Sequence, residues 1–211
     1  MRLTIRLVRL ALGLFLYGAS EALLIASGLG NIPWDVLNQG VARHLGVSIG
    51  AVVIGGGALV LLLWIPLRQR PGFGTVANVV TLGLALNLVL GWLPRHPGVL
   101  LGVAMMVVGI ALNAIATVLY IGAGFGAGPR DGLMTGLVAR TGWSIRVVRT
   151  ALEVIVVVIG FALGGTLGVG TVLYAVGVGP LIQLVNRTGL FGSVGAARPR
   201  MPVDGAPVAV E

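Results

Sequence analysis

The 211-residue sequence contains no cysteine and no lysine. The missing thiol excludes disulfides, thiolate metal sites, iron–sulfur clusters and thiol catalysis. Histidine is nearly absent as well. His44 and His96 fall in different loops, with no His-x-x-x-His spacing and no carboxylate beside them. Each reads as an interfacial polar residue, so no metal site is expected. The Gly-x-Gly-Thr stretches at Gly72 and Gly168 have no lysine after them and no strand before them, which excludes phosphate loops. No nucleophile–base pair or cofactor motif is found, and neither enzymatic activity nor a cofactor is expected.

Charge is scarce too, at 9% of residues, whereas 57% are hydrophobic and the mean hydropathy is +1.04. Uninterrupted apolar runs reach the ~20 residues that cross ~30 Å of hydrocarbon. The alternation of a β-barrel is missing, and only helices and closed barrels satisfy their backbone groups inside a bilayer. An all-α, polytopic membrane protein is expected, with the lipid bilayer as its surroundings. Six runs read as spans, at about 10–29, 48–67, 74–94, 98–122, 147–164 and 170–187.

The net charge of +8 is carried by arginines at the ends of apolar runs. That is a topology signal and not a nucleic-acid footprint. With six spans and both termini inside, twelve arginines fall in the cytoplasm, and only Arg43 and Arg95 fall outside. This predicts a bacterial cytoplasmic-membrane protein with cytoplasmic ends. The membrane domain covers 1–191, and the Gly/Pro/Ala-rich stretch 192–211 reads as a disordered cytoplasmic tail. The sequence leaves open whether copies associate.

Two polar segments interrupt the apolar runs: GLGNIPWDVLNQG from Gly28 and GFGAGPRDGLMTG from Gly124. They coincide at an offset of 96 residues, the separation of Gly28 from Gly124. The same offset pairs Pro33 with Pro129, Asp35 with Asp131, Gly40 with Gly136, Ser48 with Ser144 and Gly72 with Gly168. The chain therefore reads as two repeats, about 10–94 and 106–190. Each holds three spans and one broken, re-entrant half-helix too short to cross alone. Three is odd, so the second repeat is expected to be inverted relative to the first, as in many secondary transporters.

Those same blocks, with WIPLRQRPGFGTVANV between them, resemble the YczE-like branch of the YczE/YitT group of small bacterial integral membrane proteins. The similarity runs over roughly residues 10–187. It implies a multi-span protein of the bacterial cytoplasmic membrane and carries over no catalytic or binding residue.

The candidate residues rest on physical chemistry. Pro33 and Pro129 suit the first turn of a helix, where a missing N–H costs nothing. Asp35 and Asp131 can accept from the free amides of that turn as structural caps. Alternatively, the two half-helix N-termini enclose a substrate or ion site, with Asn38 and Gln39 nearby. Trp34 and Arg130, which hold matched positions, read as interface residues of opposite sides. Glu153 lies four residues after Arg149 and reads either as an intrahelical ion pair or as a proton-coupling carboxylate. Glu21 has no arginine within a helical turn and reads as the better proton-relay carboxylate. The amides Asn78, Asn87, Asn113 and Gln183 read as interhelical glue. Two functions remain in view: a transporter of a small solute or ion, and a membrane scaffold with an arginine-rich cytoplasmic docking face.

Overall fold

The computed structural model describes residues 3–189, so the expected tail at 192–211 lies outside the described residues. All regular structure among the described residues is helical: α1 (Leu3–Ser27), α2 (Pro33–Leu45), α3 (Ile49–Trp64), α4 (Phe73–Leu90), α5 (Val99–Gly122), α6 (Pro129–Thr141), α7 (Ile145–Ala162) and α8 (Val169–Thr188). Every start in the second half lies 96 residues after its counterpart, as Pro129 does after Pro33.

The repetition extends to the backbone and its caps. Ser48 and Ser144 each accept from an amide of the following first turn, Ala51 and Val147 respectively. Gly30 and Gly126 hold φ of +123° and +120°, a region that only glycine enters freely. At both, the chain presses on the opposite repeat. A Cβ on Gly30 would lie 2.8 Å from the Gly168 nitrogen, and one on Gly126 would lie 2.8 Å from Thr75 Oγ1. The Gly170 amide donates to the Leu29 carbonyl at 2.8 Å, and the Gly74 amide donates to the Phe125 carbonyl at 2.9 Å. Each break is thus tied to the start of the other repeat's last helix.

Helix α1 is the centre, packing along α5 and α4; α5 also packs on α8, α2 on α7, and α3 on α4 and α6. Small residues set the α1 contacts. A Cβ at Gly13 would sit 2.6 Å from the Tyr120 nitrogen and one at Gly18 would sit 2.7 Å from the Leu82 carbonyl. Such close approach is how helices gain dispersion energy where lipid supplies no hydrophobic drive. Hydrogen bonds add to it. Asn113 donates to Ser20 Oγ at 2.8 Å and accepts from the Tyr174 hydroxyl at 2.9 Å, joining α1, α5 and α8. Arg6 docks the start of α1 by donating to the Ala123 and Gly124 carbonyls, with its guanidinium 4.6 Å from the Phe125 ring centre.

The outer faces are apolar: Leu59, Leu62 and Leu63 on α3, and Val154, Ile155 and Val158 on α7, are exposed. So continuous an apolar exterior belongs against lipid. Helices α1, α4, α5 and α8 are long and apolar enough to cross a membrane, and α2 with α3 makes a fifth candidate span bent by 114°. The other two expected spans are weaker. Helix α3 has only 16 residues because Pro66 follows Trp64 and Ile65, and proline disfavours helix in the residue before it. Helix α7 carries Arg146, Arg149 and Glu153.

Candidate functional site

Proline opens both short helices. Pro33 and Pro129 stand in the first turns of α2 and α6, preceded by extended residues Ile32 and Gly128. Trp64 Nε1 donates to the Pro129 carbonyl at 3.0 Å, and Thr75 Oγ1 donates to the Ala127 carbonyl at 2.7 Å. These bonds fix the start of α6 against α3 and α4. Both prolines line one half-open cavity of about 290 Å³, near the lower end of small-molecule pockets at about 300 Å³. Its polar wall includes Tyr17, Asn78, Tyr120, Arg130, Asp131 and Glu153. Arg149 and Leu152 of α7 and Tyr174 and Val178 of α8 also line it.

Arg130 reaches from this wall to two carboxylates behind it. Its guanidinium nitrogens lie 3.6 Å from Glu21 Oε1 and 3.7 Å from Asp35 Oδ1, and its carbon lies 5.1 Å from the Trp34 ring centre. The arginine side chain is 26% exposed, whereas both acids are fully buried. Asp35 Oδ1 also accepts from Asn38 at 3.1 Å. Neither oxygen of Glu21 has a hydrogen-bond donor, nor does Asp35 Oδ2. An ionised carboxylate held this way costs several kcal/mol unless an opposite charge offsets it.

Three expectations change here. Glu21 is not a lone carboxylate, because the fold delivers an arginine from the other repeat, which no helical spacing along α1 can reveal. Arg130 is not a plain interface residue; it bridges two buried acids. Nor do the aspartates bond the amides of their own turns: Asp35 takes Asn38 and Asp131 takes the Tyr120 hydroxyl at 3.0 Å. Glu153 does pair with Arg149, at 2.9 Å, with both side chains partly exposed.

Gln39 lies elsewhere. Its Oε1 accepts from Asn31 at 2.9 Å and from the Thr166 amide at 2.6 Å. With Arg43, Asn87, Arg95 and His96 it lines a second, broader depression of about 920 Å³. The structure therefore gathers Pro33, Pro129 and Asp131 at the cavity, leaves Asp35 and Asn38 just behind it, and puts Gln39 at the depression.

A family model described as a family of unknown function, DUF6198, matches residues 4–187. The chain belongs to this family. It is 37% identical over 195 residues to an uncharacterized protein of Haemophilus influenzae, covering 92% of this chain and 87% of that one. It is also 30% identical over 176 residues to the uncharacterized membrane protein YczE of Bacillus subtilis, covering 81% and 80% respectively. These matches agree with the resemblance drawn from the glycine-proline blocks, and they make the chain a membrane protein of the YczE-like group. No solved structure matches it.

Among the residues of this family member that sequence reasoning missed, three are tyrosines. Tyr17, Tyr120 and Tyr174 come from α1, α5 and α8 to the one cavity, with the first two rings edge to face at 5.8 Å. Tyr174 holds the repeat position of Asn78, which also lines the cavity. That pairing of polar residues was the available signal for Tyr174.

Proposed function

We propose that the protein is a transporter that moves a small solute or ion across the bacterial cytoplasmic membrane, by alternating access between two inverted three-span repeats. The observation that carries this reading is a pair of openings separated by one thin buried layer. Along α1, Tyr17 lines the cavity and Ile25 to Gly28 line the depression. Along α2, Pro33 and Trp34 line the cavity and Gln39, Ala42 and Arg43 line the depression. From Tyr17 to Ile25 is about 12 Å of helix at ~1.5 Å per residue. Solute held on one side therefore has two turns to pass, and a modest shift of packed helices covers such a distance.

The arginine distribution orients the openings. The depression carries Arg43 and Arg95, the two expected outside, and the cavity carries Arg130 and Arg149, both expected inside. In this reading the cavity faces the cytoplasm, both termini are cytoplasmic and the two short helices are re-entrant. An inverted repeat supplies the opposite state at little cost, since each half can adopt the packing of the other.

The absence of cysteine makes the test direct. Gln39→Cys and Met134→Cys, at the depression and the cavity respectively, are labelled with a membrane-impermeant thiol reagent applied to either side of the membrane. Transport requires Gln39→Cys to react from outside and Met134→Cys from inside. Reaction of both from one side, or of neither while a terminal control cysteine reacts, rejects it and favours a scaffold.

A further inference from the structure

The layer between the two openings holds an unbalanced charge. Glu21 sits one turn beyond Tyr17 of the cavity and one turn before Ile25 of the depression; Asp35 directly follows Pro33 and Trp34 of the cavity and lies one turn before Gln39 of the depression. Both are fully buried, and a single guanidinium, that of Arg130, touches both. Two ionised carboxylates against one arginine leave one negative charge in a dry layer. Three buried carboxylate oxygens there have no hydrogen-bond donor.

No neighbouring element supplies the missing positive charge. The charged groups acting on Glu21 are Asp35 and Arg130. From the same helix and from α5 and α8 come the phenols Tyr17, Tyr120 and Tyr174, which add no cation. From α6 comes Asp131, a further acid bonded to Tyr120. From α7 comes Arg149, already paired with Glu153. From α4 comes Asn78, which is neutral. A metal ion is a poor answer, because among the described residues no group of three His, Cys, Asp or Glu gathers to hold one. An arginine in the middle of the pair would also repel it. A proton fits: it cancels the surplus charge and gives one bare oxygen a hydrogen to donate.

We infer that Glu21 and Asp35 share one exchangeable proton, with Arg130 neutralising the charge that remains, and that this pair is the proton-coupling site of the carrier. The coupling role rests on the transport reading above; the shared proton does not. Moving Arg130 toward either acid favours ionisation of that acid and leaves the proton on the other, so the guanidinium and the proton exchange places within the layer. Because the layer lies between the two openings, the proton can be loaded from one and released to the other as the helices shift. The solute would then travel with a proton or against one.

Infrared spectroscopy of the purified full-length protein in lipid reads the proton directly, through the carbonyl stretch of a protonated buried carboxyl. At neutral pH the wild type is expected to show such a band, shifted on transfer to heavy water. Glu21→Gln and Asp35→Asn each remove the surplus charge, so each should lose the band. Arg130→Gln removes the counter-charge, so the band should grow as a second proton is taken up. An absent band in the wild type, or one that heavy water leaves in place, overturns the inference without any variant. Persistence of the band in either amide variant overturns it too, since the proton is then not shared. So does an unchanged band in Arg130→Gln. Labelling failure at Gln39→Cys and Met134→Cys with the band behaving as expected would sink transport and leave the shared proton standing. Normal labelling without the band would do the reverse.

Discussion

Gly83 and Gly179 hold the same place in the two halves of the chain, yet their surroundings are opposite. A Cβ on Gly83 would lie 2.4 Å from the Gly50 carbonyl, whereas one on Gly179 would meet nothing within 4 Å. In the first half α3 and α4 are closed on each other, glycine against glycine. In the second half the position of Gly50 is taken by Arg146, which is exposed. There α7 and α8 both line the cavity, and the close packing of α3 along α4 has no equivalent. The repeat supplies the frame, and the cavity lies where one half departs from the other. In the transport reading, the two halves are one interface caught closed and open.

The largest expected effect tests that contrast. Gly83→Leu forces a side chain into a backbone contact, and overpacking of this kind costs about 3 kcal/mol at the upper end of its usual range. Gly179→Leu enters open space and should stay within about 0.5 kcal/mol of the parent. Thermal unfolding of both variants in the same detergent measures the difference. Equal losses would mean that α7 and α8 close on each other in the membrane and that the contrast is false.

A second contrast concerns the short helices. Val36 of α2 and Gly132 of α6 are repeat partners, as are Trp64 and Gly160. Where α2 meets α7, the α2 backbone seats against glycine, since a Cβ on Gly160 would lie 2.4 Å from the Leu37 nitrogen and 2.5 Å from the Val36 carbonyl carbon. Where α6 meets α3, the large residue has changed sides: a Cβ on Gly132 would lie 1.9 Å from the Trp64 ring. Gly132→Val should therefore cost about 2 kcal/mol through overpacking. Adding Trp64→Gly gives the α6–α3 contact the same two residues, valine and glycine, as the α2–α7 contact. The double variant should be less damaged than the sum of the singles by at least about 0.5 kcal/mol, the sign of residues in contact. Additive losses would show that the two contacts are not equivalent.

How much of this could be read from the sequence follows from what a repeat preserves. Backbone geometry recurs, so the breaks at Gly30 and Gly126 and the helix-starting prolines are legible from one offset, whereas Ser48 and Ser144 show there as a matched pair and only in the fold as caps. So was the Arg149–Glu153 pair, because four residues on a helix is a local distance. The Glu21–Arg130–Asp35 cluster was not. Its members come from α1, α6 and α2, and the position that matters, Arg130, is where the repeat fails by carrying tryptophan in the first half. Read as topology, that mismatch looked like ordinary sidedness; in the fold it places a cation over its own repeat partner at 5.1 Å. Span lengths were less legible at α3, where proline shortens the helix inside an apolar run that continues past it.

The smallest effect, and the one closest to function, concerns Asn87. Its Oδ1 accepts from the Gly50 amide at 2.9 Å and its Nδ2 donates to Ser48 Oγ at 2.9 Å, so it latches α4 to the first turn of α3. It also lines the depression, beside Ile49. Its repeat partner Gln183 makes no such bond, and α8 does not pack along α7 as α4 does along α3. Removing a hydrogen-bonding side chain of this kind costs about 1 kcal/mol. If the closed half is one of two alternating states, Asn87→Ala weakens the closed state alone. At 1.4 kcal/mol per factor of ten, the open population should rise about 5-fold. The readout is the rate at which an external thiol reagent modifies Gln39→Cys. An Asn87→Ala background should speed it about 5-fold if 1 kcal/mol is lost from the latch, and a Gln183→Ala background should leave it unchanged. Acceleration in both would mean that the depression breathes with general stability. Acceleration in neither would mean that the α3–α4 contact is a fixed wall, and the two halves would then differ in structure without exchanging roles.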